Sequence, residues 1–421
     1  MALPLDISVS FDFSSGEQFG YPFTIGDDKY GVLGVSQLAS DSVPIPVVDL
    51  TPNVRQITIN RGRNVIRDQY EAGTAVIRVL DPDSNFNPQN VNSIYYPYLT
   101  PLRKIRVSAT TKGLKKLSYF LFSGYTTEYR YYYDQAEKMG YVDIYVADAF
   151  RLLQLSQVTT VSGATAGQDT GTRIGKILDA ISFPTNMRTI ETGNSNCIAD
   201  PSTNRTALAA LKNAEFSEQG ALYIDGSGTV VFKNRNTVIS SIADEKTDFI
   251  QGTSLIGGVP YANLVFAFDD KLIINQASMT RYGGTIQSAE NTASVNKYFA
   301  HGYNQTDLVI DTDANALNIA RTYVATRAET TIRVDAMTID LLDPDVNEAK
   351  VANLDYFDVV KIYNTQPDGS SLVKTLQVQG LAWDITPSRM FCTVTTLEPI
   401  VDGFVIDSAE RGIIGVSAMT Y

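Results

Sequence analysis

Short runs in which apolar and polar residues alternate recur along most of this chain, and that period of two restricts much of it to half-buried β-strands. Arg55-Gln56-Ile57-Thr58-Ile59 is one such run, and Ala72-Gly73-Thr74-Ala75-Val76-Ile77-Arg78-Val79-Leu80 is another. Asp81-Pro82-Asp83-Ser84-Asn85 ends the second, because proline has no donor for a ladder and Asp, Asn and Ser favour turns. Strand texture continues at 102–109, 117–133 and 141–146, and returns at 263–268, 331–341, 359–363, 372–379 and 391–397. The 23 Tyr and 18 Phe suit the same pleated surfaces. A chain of 421 residues has room for two to four domains of roughly 100–200 residues each.

The middle of the chain departs from this pattern. Residues 162–175 are rich in Gly, Ser and Thr and read as a loop. Apolar residues fall at helical spacing over 172–181 (Ile174, Ile177, Leu178, Ile181) and 205–216, and 147–155 reads as a short helix. Gly220-Ala221-Leu222-Tyr223-Ile224 and Thr229-Val230-Val231-Phe232 flank Asp225-Gly226-Ser227-Gly228, a hairpin signal in which Gly supplies positive φ. Asp311 or Thr312 is placed to cap a helix over Leu317, Ala320 and Val324. The reading is a mainly β chain with an α+β insertion. It divides into an N-terminal docking arm (1–41), a first β-barrel domain (42–160), a small α+β module (161–250), a second β-barrel domain (251–400) and a C-terminal docking segment (401–421).

Two internal echoes support that division. Residues 23–36 match 404–417 without a gap, each pair offset by 381, the separation of 23 from 404. Phe23/Phe404, Ile25/Ile406, Gly31/Gly412 and Gly34/Gly415 are identical pairs, and Val35 and Ser36 recur as Val416 and Ser417. The paired glycines mark a turn that only Gly fits. Those eight residues are the expected docking contacts, two equivalent hooks on neighbouring sites of one partner, or one of them on the adjacent subunit. The second echo matches Lys104 to Lys361, Gly124 to Gly380 and the strand 142–146 to 391–395, as two copies of one barrel plan would.

Charge and motifs bear on function mainly by exclusion. The formal net charge is −12, a poor landing surface for a phosphate backbone, which recruits Lys and Arg. The same acidity suits plain solubility, or walls to which DNA in transit does not stick. Cys197 and Cys392 are too few for a disulfide framework, so a reducing site of folding fits. The start Met1-Ala2-Leu3-Pro4-Leu5-Asp6 does not read as a signal peptide, and no apolar run approaches the roughly 20 residues that span a bilayer. The expectation is therefore a soluble protein made in the cytoplasm, with no direct membrane binding.

No catalytic residue, metal site or cofactor is expected. His301 is the single histidine, which leaves no multi-His metal set, and no Gly-x-Ser-x-Gly elbow is present. Thr170-Gly171-Thr172-Arg173-Ile174-Gly175-Lys176-Ile177 fails the phosphate-loop pattern at Thr170 and Ile177. Asp81 to Asn87 spaces oxygen ligands like the start of a calcium loop, but Phe86 stands where that loop needs Gly and Asn92 where it needs an acid. Tyr129, Tyr131, Tyr132 and Tyr133 form either a packing stripe or a carbohydrate-stacking platform, with packing favoured by their place in a strand run.

The segment 72–107 carries a more specific signal. Its Gly-Thr-started strand leads into Asp81-Pro82-Asp83-Ser84-Asn85-Phe86-Asn87-Pro88, then Tyr95-Tyr96-Pro97-Tyr98-Leu99-Thr100-Pro101, then the basic strand Arg103-Lys104-Ile105-Arg106-Val107. This line resembles phage minor tail proteins of the tail-hub type, as do the hairpin at 222–232, the stretch 378–387 and the terminal Gly-x-x-Gly segment. That resemblance implies two tube-type β-barrels per chain and a ring-forming homotrimer with six barrels around a channel. It also implies a place at the virion tail tip or baseplate, as a structural protein rather than an enzyme. The implied partners are the tail tube or distal tail protein, the tape-measure protein, tail-tip fibre or spike proteins, and DNA only in transit during genome ejection. The alternative is a receptor- or glycan-binding tail-tip protein.

Overall fold

The computed structural model describes residues 3–14, 16–19, 47–64, 69–96, 98–113, 116–134, 139–240, 247–251, 258–330 and 333–397. The first part of the chain supplies strands β1 (Leu5–Asp12), β2 (Val47–Asp49), β3 (Val54–Asn64), β4 (Gln69–Tyr70), β5 (Thr74–Leu80), β6 (Lys104–Thr111), β7 (Ser118–Asp134) and β8 (Met139–Ala147). Alternation does here what its period requires. In β5, Ala75, Ile77 and Val79 are buried, while Val76 and Arg78 between them are half-buried and exposed. Full burial of each such aliphatic side chain contributes roughly 1.5–3 kcal/mol.

Next come α1 (Phe150–Leu155), β9 (Gln157–Val158), α2 (Thr170–Ala180), β10 (Arg188–Ile190), β11 (Arg205–Thr206), α3 (Ala207–Glu218), β12 (Ala221–Ile224), β13 (Val230–Lys233) and α4 (Arg235–Ser240). The Asp169 side chain caps α2 by accepting from the Thr172 N–H, and Thr206 caps α3 in the same way from Ala209. These helices pack on a three-stranded sheet, β10-β13-β12, around Phe150, Ile174, Ile177, Leu211 and Leu222.

The remaining strands are β14 (Thr247–Gln251), β15 (Val259–Tyr261) and β16 (Asn263–Ala267), followed by a small unit of β17 (Gln276–Arg281), β18 (Gln287–Glu290), α5 (Thr292–Tyr298), β19 (Gly302–Leu308) and α6 (Asp313–Arg327). Thr312 is the α6 cap, accepting from Asn315 N–H. The chain ends in β20 (Arg333–Asp340), α7 (Glu348–Ala352), β21 (Val359–Thr365), β22 (Ser371–Thr386) and β23 (Arg389–Leu397).

Among the described residues, one 15-stranded mixed sheet takes strands from the first and last parts of the chain, giving a strand-rich mixed α/β fold. It consists of two units with the same pairing scheme. In the first, the order is β3-β5-β8-β7-β6-β1-β2; in the second it is β16-β20-β23-β22-β21-β14-β15. The ladders close neither unit into a ring among the described residues, so the two expected barrels occur as two halves of one sheet. The chain spans the gap in each case. Leu50 and a short turn at Thr51–Asn53 link β2 to β3, and Ala262 alone links β15 to β16. The halves differ in one strand direction, since β1 is antiparallel to β6 whereas β14 is parallel to β21. The first stretch of the expected docking arm is itself a sheet strand, with Leu5, Val9 and Phe11 in the core.

The repeat extends to irregularities. A bulge at Thr127 in the β7–β8 ladder recurs at Gln379 in the β22–β23 ladder. Leu102 (φ 63°) and Phe357 (φ 71°) both adopt the left-handed conformation. Each donates its N–H to a carbonyl just before that bulge, Leu102 to Thr126 at 2.7 Å and Phe357 to Val378 at 3.0 Å. These landmarks correct the register of the second echo. Lys361 corresponds to Arg106 rather than Lys104, and Gly380 to Glu128 rather than Gly124. The clearest sequence trace of the duplication is Asp81-Pro82-Asp83 after β5 and Asp343-Pro344-Asp345 after β20.

Candidate assembly interface

The eight expected docking residues, Phe23, Ile25, Gly31, Gly34, Phe404, Ile406, Gly412 and Gly415, lie outside the described residues. The other singled-out positions are placed. Both Asp81 carboxylate oxygens accept backbone N–H groups, from Asn85 at 2.7 Å and Phe86 at 3.0 Å. The turn thereby seats Phe86 and Tyr95 against Phe11 and Phe13. His301 Nε2–H donates to the carbonyl of Tyr298, the last residue of α5, at 2.9 Å. Thr170 opens α2 and donates its hydroxyl to Glu218 Oε2 at 2.7 Å. Glu218 also accepts from the Asn194 and Ser195 N–H groups.

The family-like segment holds the molecule together at the seam between sheet and α+β module. Lys104 and Arg106 of its basic strand are buried. Lys104 pairs with Asp12 at 3.1 Å and donates to the Gln18 carbonyl. Arg106 donates to Ser123 Oγ and to the Ser227 carbonyl in the β12–β13 turn. Ser123 Oγ donates to the Gly226 carbonyl at 3.0 Å, and Arg61 Nη2 donates to the Ile224 carbonyl at 3.1 Å. Gly226 is required for this approach: a β-carbon there would lie 1.9 Å from the Phe120 carbonyl oxygen. Of the two turn glycines expected at positive φ, Gly228 takes it (φ 90°) and Gly226 does not.

Charge is concentrated at that seam. Arg61 pairs with Asp355 at 3.0 Å and lies 4.8 Å over the Tyr356 ring. Burial opposes the Arg61 charge, yet Asp355, Tyr356 and Asp225 beside it hold its pKa above the ordinary value. Burial pushes the Asp148 carboxyl up to about 7, against N–H donation from Gly73 and Phe150 and the nearby Arg61 and Lys212 charges. Lys212 and Glu215 form a buried pair at 2.9 Å, and burial drives each towards neutrality, lysine down and glutamate up. The ties among Arg61, Asp148, Asp225 and Asp355 were not visible in the sequence, because these residues are far apart in the chain.

The two sheet halves meet where β22 pairs antiparallel with β3, from Gly380 opposite Gly62 to Ile385 opposite Ile57. Among the described residues, the corresponding part of β7 has no such neighbour. Its ladder to β6 stops at Tyr125, and among the described residues 128–133 has one ladder partner, β8. Tyr129 is half-buried and donates its hydroxyl to the Thr100 carbonyl. Tyr131, Tyr132 and Tyr133 are 43%, 38% and 65% exposed, so the tyrosine run splits between packing and an open surface. Strand β16 likewise pairs only with β20 among the described residues and exposes Val265, with Phe268 just beyond it.

No family model matches the sequence, and no curated protein does. Solved structures do match. The 43 kDa tail protein of prophage MuSo2 from Shewanella oneidensis aligns with a TM-score of 0.52 at 11% identity, over 84% of this chain and 96% of that one. The tail protein from Neisseria meningitidis MC58 aligns with a TM-score of 0.52 at 10% identity, over 82% of this chain and 92% of that one. The chain has the fold of prophage tail proteins. At this identity the likeness is one of fold, and it spans nearly the whole of both tail proteins.

Proposed function

We propose that this chain is a structural component of a phage tail, a hub that joins the tail tube to the tip and performs no catalysis. Three copies would present six sheet units around a central channel that passes the tape-measure protein and then DNA. The observation that carries this reading is the duplication: one chain holds two units with the same strand order, the same bulge and the same left-handed residue. A molecule of that kind converts three-fold into pseudo-six-fold symmetry, which a junction between a six-fold tube and a three-fold tip requires. The matched ends, 23–36 and 404–417, would serve as equivalent hooks on neighbouring sites of one partner, or one of them on the adjacent subunit.

Light scattering on the purified chain, alone and with its tail-tube neighbour, tests this reading. A trimer is expected; a strict monomer under both conditions contradicts it. The exposed Tyr131 and Tyr133 favour a second reading, a glycan-binding tip protein. Glycan binding that disappears on Tyr131→Ala and Tyr133→Ala, in a chain that stays monomeric, would replace the hub.

A further inference from the structure

We propose that the open edge of β7 in one copy of the chain pairs antiparallel with the open edge of β16 in the next copy. This would repeat between chains the joint that β22 and β3 make within one. The inference rests on the ring reading and adds the surfaces, the register and the direction of the contact.

The internal symmetry supplies the geometry. Matching the shared bulges places Glu128 where Gly380 stands in the second unit, so 128–133 corresponds to 380–385. Arg78 and Thr338 occupy equivalent ladder positions, because their partners Asp143 and Thr393 do. Gln56 pairs with Arg78 and Asn263 with Thr338, so Gln56, Ile57, Thr58 and Ile59 correspond to Asn263, Leu264, Val265 and Phe266. Within the chain, Trp383, Asp384 and Ile385 face Ile59, Thr58 and Ile57. Carried over, Tyr131, Tyr132 and Tyr133 of one copy face Phe266, Val265 and Leu264 of the next.

Two independent features fit that contact. Both strands are unpaired along the relevant edge among the described residues, and an open edge invites a strand from another chain. The charges that usually protect such strands are absent from one edge and mutually paired on the other. Asn263-Leu264-Val265-Phe266-Ala267 has none, and Glu128 and Arg130 neutralise each other at 2.8 Å. Each copy has one edge of each kind, so the contact is head-to-tail and forms a ring when its rotation closes. Tyrosines opposite Val, Leu and Phe are the aromatic and aliphatic cross-strand pairs that stabilise a ladder.

The test is disulfide cross-linking in assembled tails. Cys197 and Cys392 are buried, which leaves a clean background. Tyr132→Cys and Val265→Cys in one chain are expected to give covalent trimers on mild oxidation, since directly opposed β-carbons lie roughly 4.5–5.5 Å apart. Mixing the two single variants should give dimers and nothing larger. As a second arm, Tyr132→Glu with Val265→Glu should cut tail yield about tenfold or more, and Tyr132→Glu with Val265→Lys should restore it. Tails that contain a trimer of this chain, yet give no 132–265 link and tolerate the paired Glu substitutions, overturn this pairing and leave the hub intact. That outcome includes an edge covered by the chain's own 398–421 segment. Absence of any oligomer in the tail overturns both.

Discussion

Gly226 and Asp148 show how single residues fix the α+β module to the sheet. Any side chain at 226 would collide with the Phe120 carbonyl, so Gly226→Ala must push the β12–β13 turn off β7. The cost expected is about 1–3 kcal/mol, with loss of the Ser123 and Arg106 contacts to that turn. Urea denaturation measures it, and limited proteolysis near 148–157 should quicken. Asp148 makes the opposite kind of contact. It accepts the Gly73 N–H from the sheet (2.6 Å) and the Phe150 N–H from the module (2.9 Å). Burial raises its folded pKa to about 7 from an ordinary value of 3.8. Between those two values the native state holds the proton more tightly than the unfolded state, so this group's contribution falls as pH rises through the window. Asp148→Asn removes that titration. Its stability relative to the parent should therefore improve from pH 5 to pH 8, as read by thermal melts across that range.

At the level of elements, the repeated left-handed residue offers a direct comparison. Leu102 is partly exposed and Phe357 is buried among Tyr70, Tyr223 and Lys233. Leu102→Gly relieves the backbone at little packing cost and should be neutral or stabilising by up to ~1 kcal/mol. Phe357→Gly gains the same relief but empties a packed site and should cost about 3 kcal/mol or more. Chemical denaturation of the two variants distinguishes them. Strands such as β5 and β23 were legible because alternation and burial agree there, and α6 because Thr312 caps it. The small unit around β17–β19 escaped notice: Gln287-Ser288-Ala289-Glu290 exposes a polar strand with almost no apolar period to read. The duplication was legible in outline and misplaced in register, because period-two texture matches itself at every even shift. Bulges and a positive φ at Leu102 set the true register, and side-chain chemistry does not write them. The seam around Arg61 was hidden for another reason, since it joins residues from 61 to 355 that only the fold brings together.

For the whole molecule, two sheet units, one inserted module and two matched ends make a chain built for repetition. The sheet core is continuous across both halves, from Ile57 and Val79 to Trp383 and Val394, so the two halves share one hydrophobic core. The ends carry a separate expectation. Gly34→Val or Gly415→Val should impair tail assembly while the isolated chain keeps its circular dichroism spectrum; loss of folding in both would make these ends part of the core. The central claim is that three copies present six equivalent sheet units around the tail axis. Cryo-electron microscopy of intact tails viewed down that axis tests it most directly. A ring of six alternating lobes is expected at the tip, with each copy of this chain contributing two adjacent ones. A tail in which the chain lies off the axis, or as a single copy, contradicts it.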